Sequence, residues 1–249
     1  MKIVVMNCNT TDSMTADMAN VSRKVASANT EIIALQPYWG PESAEGYFDS
    51  FLTATAVLDR IEQINFEFDA LVMAGFGEHG REGARELLSV PVVDVTEAGP
   101  HLAMMLGHRY GVVTTLQRAV PQIADSLQLA GLMPACASIQ AADLRVLEVD
   151  ADRTQTLSAL EIASRRALSA GSEVIVLGCA GMTDLRGPLS LTLGVPVIDS
   201  VEAAVRIAES LVALDLRTSK SSAFAAPLPK SRPGWPISQP NGTRRAARK

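Results

Sequence analysis

The residue of this chain with the clearest chemical potential is Cys179. It follows the apolar run at 174–178 directly, and the small residues Ala180 and Gly181 come after it. A turn of small residues behind a buried strand lets a substrate approach backbone N–H groups beside the thiol. Such donors lower the pKa of a thiol, so the position predicts a thiolate that acts as a base or nucleophile. The alternative is a cysteine that only packs as a small apolar side chain.

The three cysteines, Cys8, Cys136 and Cys179, form no CxxC pair and lack the spacing of Cys/His metal ligands. Reduced thiols are therefore predicted, rather than disulfides or a zinc site. The chain also lacks the glycine-rich phosphate loops, the HExxH motif and the GxSxG motif. These absences argue against dinucleotide and P-loop enzymes, zinc proteases and serine hydrolases. Neither a metal nor a cofactor is predicted.

Polar side chains follow other apolar runs as well. Asn9 comes after the first run, where its side chain could hold a polar substrate, and Cys8 beside it would border the same substrate cleft. The alternative is that Asn9 only forms an Asx-type turn. Thr114 and Thr115 end a later run. With the N–H groups of the next helix they would bind a carboxylate or imide oxygen, unless Thr115 only caps that helix. His79 lies in a glycine-rich loop and is either an acid or base by position or a solvated loop histidine.

Apolar runs of strand length alternate with helical stretches along the chain. This alternation predicts βαβ units, and the nearly continuous apolar character is typical of parallel sheets covered by helices on both faces. Ligands of such sheets bind outside the carboxyl ends of the strands. The predicted strands are residues 2–6, 31–35, 70–74, 92–94, 110–114, 144–147, 174–178 and 195–198, and predicted helices include 20–28, 81–88 and 117–130.

An internal similarity relates two segments about 104 residues apart. Residues 69–77 superpose on 173–181, and residues 90–94 superpose on 195–199, so that Gly75 matches Cys179. We therefore predict an α/β fold of two pseudo-symmetric parallel-sheet halves, with the active site in the cleft between them. Residues 1–216 would form this domain, with halves at roughly 1–100 plus 200–216 and at 101–199.

The charge distribution separates this domain from a basic tail. The net charge is −5, but every charged residue after position 216 is basic, which leaves 14 basic and 27 acidic side chains before it. A body this acidic is a poor nucleic-acid binder. The Pro-, Ser- and Ala-rich tail at 217–249 is predicted to be disordered, with a basic interaction segment as the alternative. Without a membrane-length apolar run or a signal peptide, the chain is expected in the cytoplasm.

Five motifs occur in a fixed order within residues 1–216. They resemble motifs of the hydantoin racemase family, which belongs to the aspartate/glutamate racemase superfamily. The resemblance implies cofactor-independent proton exchange at a carbon acid between two cysteines, with 5-substituted hydantoins or the related ureide allantoin as substrates, and assembly into a homo-oligomer. It also implies substrate contacts by Asn9, Gly75, Phe76, Thr114, Thr115, Gly181 and Met182. The motifs are Asn7-Cys-Asn-Thr10, Gly40-Pro-Glu-Ser-Ala-Glu-Gly46, Gly75-Phe-Gly-Glu-His-Gly80, Gly111-Val-Val-Thr-Thr115 and Gly178-Cys-Ala-Gly-Met182.

Two residues depart from this pattern. Gly75 stands where the family usually has a cysteine, and Cys8 stands where it commonly has proline. The first-half thiol is therefore absent from its usual position. We predict that Cys179 serves one face of the substrate and that Cys8, His79 or a bound water serves the other.

Three functions follow from these residues. The leading interpretation is racemisation, in which the acidic C5 proton of a hydantoin leaves one face and returns to the other through a planar enolate. A single-cysteine lyase is the alternative, with Cys179 protonating an enolate formed by loss of carbon dioxide and Gly75 leaving room for the carboxylate. The third is a small-molecule binding protein that lost catalysis with Gly75.

Overall fold

The computed structural model describes residues 1–149, 151–182 and 184–231. Strands and helices alternate within these residues, as the sequence predicts. The strands are β1 Lys2–Asn7, β2 Glu31–Leu35, β3 Ala70–Ala74, β4 Val92–Asp94, β5 Tyr110–Thr114, β6 Cys136–Ala141, β7 Val174–Leu177 and β8 Val197–Asp199. The helices are α1 Asp12–Val25, α2 Tyr47–Glu62, α3 Arg81–Leu87, α4 Val95–Ala103, α5 Val120–Leu129, α6 Arg153–Ser169, α7 Arg186–Leu193 and α8 Ser200–Ala213.

The strands form two parallel four-stranded sheets with the same topology. Their orders are β2-β1-β3-β4 and β6-β5-β7-β8, so each half repeats the strand arrangement of the other. The central strands β1, β3, β5 and β7 are almost entirely buried, which explains their unbroken apolar sequences. The predicted fold of two pseudo-symmetric α/β halves is confirmed.

Helices α4 and α8 join the two halves. Helix α4 follows the first sheet but packs against β7 and β8, whereas α8 follows the second sheet and packs against β3 and β4. The two helices also pack against each other. Buried aspartates start both, since Asp94 accepts a hydrogen bond from the N–H of Thr96 and Asp199 accepts one from that of Val201. The division into residues 1–100 with 200–216 and 101–199 stays a prediction.

The strand predicted at 144–147 is wrong. The sixth strand is Cys136–Ala141, and Val146–Glu148 forms a 3-10 turn. Asp143 adopts a left-handed conformation with φ of 57°, which ends the extended backbone before the apolar residues of the predicted strand. The true strand lies at a sheet edge and is mostly half-buried, so its sequence lacks a continuous apolar run.

Two predicted helices also change their limits. The helix predicted at 20–28 is Asp12–Val25, and the one predicted at 117–130 divides into a 3-10 turn, Gln117–Ala119, and α5. Pro121 stands in the first turn of α5, where its missing N–H is tolerated. Thr115 therefore caps no helix, because Leu116 precedes the turn and Ala119 precedes α5.

The first part of the predicted tail contacts α3. Thr218 donates its backbone N–H to the carbonyl of Ser89, and the Lys220 ammonium donates to the carbonyl of Glu86 at 3.0 Å. The guanidinium of Arg85 lies 5.6 Å from the ring centre of Phe224. The remainder of the predicted tail at 232–249 lies outside the described residues. No helix in the described ranges is long and apolar enough to span a membrane.

Candidate active site

Strands β1 and β3 end side by side at the carboxyl edge of the first sheet. Asn7 is the register partner of Ala74, so Cys8 and Gly75 leave the sheet next to each other. A Cβ atom built on Gly75 would lie 2.5 Å from the Cβ of Cys8 and 2.8 Å from its Sγ. The side chain of Cys8 therefore occupies the space that a side chain at position 75 would need.

Strands β5 and β7 end in the same way in the second sheet. The N–H of Gly178 donates to the carbonyl of Val113 at 2.8 Å, and the hydroxyl of Thr114 donates to the carbonyl of Gly178 at 3.2 Å. These bonds fix the turn that carries the half-buried Cys179. A Cβ built on Gly181 would lie 3.6 Å from the Sγ of Cys179, so this glycine adjoins the thiol.

The two strand edges lie close to each other. A Cβ built on Gly178, in the second half, would lie 3.5 Å from the ring of Phe76, in the first. One built on Gly181 would lie 3.4 Å from the Cε of Met14, whose Sδ is 3.5 Å from the Asn9 amide. The structure thus brings the strand ends at Cys8 and Gly75 together with the strand end at Cys179.

The thiol of Cys8 holds its proton strongly. Burial raises its pKa to about 12, and the charges of Cys179 and Asp94 contribute in the same direction. Both cysteines nevertheless keep some exposed surface. Near neutral pH, Cys8 therefore offers the cleft a protonated thiol.

His79 is buried rather than solvated, with only 4% of its surface exposed. Its Nε2 stands 3.3 Å from the carbonyl of Phe76, and its Nδ1 has no hydrogen-bond partner among the described residues. The Cδ2 atom would lie 2.6 Å from a Cβ on Gly75. Burial lowers the pKa of His79 to about 4, so the imidazole is neutral at pH 7 and packs behind the Gly75 position.

Three of the predicted substrate contacts are buried and make contacts within the protein. Met182 is fully buried and packs in the core of the second half. The side-chain oxygen of Asn9 accepts a hydrogen bond from the N–H of Thr11 at 3.0 Å, so this residue forms the Asx-type turn considered as its alternative. Thr115 is buried, and its carbonyl accepts the N–H of Leu144 at 3.1 Å.

A buried polar group that the sequence did not reveal anchors the 75–80 loop. The hydroxyl of Thr96 accepts the N–H of Gly77 at 2.8 Å and lies 3.1 Å from its carbonyl. Thr96 in turn donates its N–H to Asp94 at 2.7 Å. One sequence signal pointed to this group. The internal repeat matches Asp94 with Asp199, which marks an aspartate at the end of the corresponding strand in each half.

Arg81 follows this loop directly and is fully buried. Its Nε donates to Glu82 at 2.8 Å and stands 3.4 Å from Glu97, while its Nη2 stands 3.5 Å from Glu78. Burial opposes the charge, but the carboxylates of Asp94, Glu97 and Glu82 raise the pKa of Arg81 above its ordinary range. A fixed positive charge is thus built into the base of the loop.

Asp94 makes the stability of the fold depend on pH. Burial raises its pKa to about 7 against the opposing attraction of Arg81, so the folded chain binds a proton that the unfolded chain has released. The free energy of unfolding should therefore fall as pH rises from about 4 to 7. Asp94→Asn keeps a capping oxygen but has no proton to lose. Between pH 5 and 6.5 the free energy of unfolding of the variant should therefore rise by about 2 kcal/mol relative to that of the parent, at about 1.36 kcal/mol per pH unit.

Urea unfolding of both proteins at several pH values measures this difference. Asp199→Asn is the matched control, because burial raises the pKa of the equivalent Asp199 to about 6. The relative gain in the free energy of unfolding of Asp199→Asn over the same pH interval should be about half as large, because Asp199 has already lost most of its protons at pH 6.5. A constant difference between Asp94→Asn and the parent at all pH values contradicts the raised pKa of Asp94.

Residues 3–208 match the model of the Asp/Glu/hydantoin racemase family. A hydantoin racemase of Paenarthrobacter aurescens is 38% identical over 233 residues, covering 92% of this chain and 99% of its own. The solved allantoin racemase from Pseudomonas fluorescens is 51% identical, with a TM-score of 0.92 over 94% of this chain and 100% of that one. The allantoin racemase from Klebsiella pneumoniae is 40% identical, with a TM-score of 0.90 over 94% and 96%.

Proposed function

The chain belongs to the Asp/Glu/hydantoin racemase family and is an isomerase, and we propose that it racemises 5-substituted hydantoins or the related ureide allantoin. The observation that supports the proposal is the half-buried thiol of Cys179 at a carboxyl strand edge that lies close to the corresponding edge of the other half. We propose that this thiol exchanges the C5 proton on one face of the substrate, without a cofactor. Cytoplasmic location and assembly into a homo-oligomer stay predictions.

The chemistry needs an acid/base group and stabilisation of an anion. The carbonyl beside C5 acidifies its proton, and removal of that proton leaves a planar enolate that can be protonated from either face. Thr114 holds the Cys179 turn through Gly178, which fixes the thiol relative to the cleft. The hydroxyl of Thr115 and the N–H groups of the turn are proposed to donate to the enolate oxygen, where one well-placed donor contributes about 3 kcal/mol.

The lyase alternative loses the feature that suggested it. That hypothesis requires open space for a carboxylate beside Gly75, but the side chains of Cys8 and His79 fill this space. Racemisation instead requires a second acid/base on the first-half side of the cleft, and the side chains that fill the space include a thiol.

Proton NMR in D₂O tests the proposed function. Each pure enantiomer of a 5-alkyl hydantoin and of allantoin is incubated with the protein, and chiral chromatography of the same samples measures inversion. Loss of the C5 proton signal together with formation of the opposite enantiomer is expected, well above the rate with heat-denatured protein. Unchanged substrates would sink the proposal, and carbon dioxide release from a disubstituted malonate would instead favour the lyase.

A further inference from the structure

We infer that the Cys8 thiol is the second acid/base of the cleft and takes the place of the side chain that residue 75 lacks. The inference rests on the proposed racemisation and names the group that acts on the opposite face of the substrate from Cys179. Strand β1 would then supply the thiol that the internal repeat leads one to expect on β3.

The register of the first sheet gives the geometric argument. Because Asn7 pairs with Ala74, the residues that follow them start from adjacent points on the sheet edge. The Sγ of Cys8 lies 2.8 Å from the Cβ position of residue 75, and the Sγ of a cysteine at 75 would lie one bond from that Cβ. The Cys8 thiol therefore lies beside the point from which a side chain at residue 75 would start, although it belongs to a different strand.

The neighbouring histidine is a poorer candidate for the same role. A carbon atom of the His79 ring, Cδ2, faces the Gly75 position, and Nε2 is directed to the carbonyl of Phe76. Burial keeps the ring neutral, with a pKa of about 4. His79 thus presents a ring carbon to the Gly75 position and offers no exchangeable proton there.

The two thiols complement each other electrically. Burial raises the pKa of Cys8 and the charge of Cys179 adds to this effect, so Cys8 keeps its proton beside a Cys179 thiolate. In one direction a Cys179 thiolate takes the C5 proton, and the Cys8 S–H gives its proton to the opposite face of the enolate. The substrate is inverted with its formula unchanged, and one proton has moved from Cys8 to Cys179. The reverse reaction restores the starting state.

Exchange experiments with single enantiomers test this assignment. We expect Cys8→Ala to lose racemisation by about 10²-fold or more, the range for a positioned acid/base group. It should keep C5 deuterium exchange with retention, but only for the enantiomer whose C5 proton faces Cys179. Cys136→Ala is the matched control, because Cys136 lies in β6 and is not at a strand end of the cleft; it should racemise at the parent rate.

Moving the thiol between the two positions provides an independent test. Gly75→Cys alone should lower the urea midpoint of unfolding, since the new Cβ would overlap that of Cys8 at 2.5 Å. Cys8→Gly removes that atom, so Cys8→Gly/Gly75→Cys should racemise at least about tenfold faster than Cys8→Gly, a gain within the range for one acid/base group.

Three outcomes would overturn the inference. They are parent-like racemisation by Cys8→Ala, equal loss of exchange from both enantiomers in that variant, and no gain from the relocated cysteine. In each of these outcomes the parent protein is active. Failure of the proposed function is different, because the parent protein itself would then exchange no C5 proton, and the inference would fail with it.

Discussion

Replacing Cys179 with serine is expected to lower kcat for racemisation by about 10³-fold, because an alcohol is a far weaker acid/base than a thiol in the same position. The variant should also lose deuterium exchange from both enantiomers at neutral pH. Without Cys179 the pair has no second thiol to exchange a proton with, and burial together with the charge of Asp94 still keeps the proton of Cys8 in place. This loss from both enantiomers separates Cys179→Ser from Cys8→Ala.

Chiral chromatography of samples quenched at set times and proton NMR of exchange in D₂O measure this effect on the purified variant. Cys136→Ser is the matched control: its thiol lies in β6, 3.4 Å from the carbonyl of Ser138, and a hydroxyl can make the same contact. It should keep the parent kcat. If Cys179→Ser exchanged the C5 proton as fast as the parent, the assignment of Cys179 would be wrong.

Replacement of Arg81 with methionine is expected to cause the largest loss of stability. Methionine fills similar space but leaves Asp94 without its buried positive partner, while Glu97 keeps its ion pair with Arg85. Loss of one member of a buried ion pair costs about 3 to 5 kcal/mol. Glu78 and Glu82 keep contact with water, so we expect a loss near the lower limit, about 3 kcal/mol in the free energy of unfolding.

Urea unfolding at pH 7.5 measures this loss. Arg165→Met is the control, because Arg165 is 55% exposed and its pair with Glu161 joins positions four apart on a helix surface. That pair should contribute less than about 0.5 kcal/mol. Adding Asp94→Asn to Arg81→Met should recover part of the stability. Equal losses from Arg81→Met and Arg165→Met would show that the buried charge does not stabilise the loop.

Much of the fold could be predicted because its central strands are buried on both faces. Continuous apolar runs mark β1, β3, β5 and β7, and their repetition 104 residues apart marks the two halves. The edge strand β6 could not be found in this way, because a half-buried edge needs few apolar residues. The run at 144–147 looked more like a strand, but the left-handed residue Asp143 ends the extended backbone before it.

The site was predictable along each strand but not between strands. The position of Cys179 follows from one apolar run and the glycines around it. The position of the Cys8 side chain depends on the register of β1 against β3, which no local pattern specifies. Arg81 was missed for a different reason: arginine is almost never fully buried, so nothing in the sequence around it indicated a buried charge.

The exchange of α4 and α8 between the two sheets has a consequence for how the chain folds during synthesis. The first sheet needs α8 to cover β3 and β4, yet α8 is translated about 100 residues after those strands. Until residues 200–213 leave the ribosome, one apolar face of the N-terminal sheet is therefore incompletely covered. N-terminal halves usually fold first during translation. This chain should instead complete both halves together, and late in its synthesis.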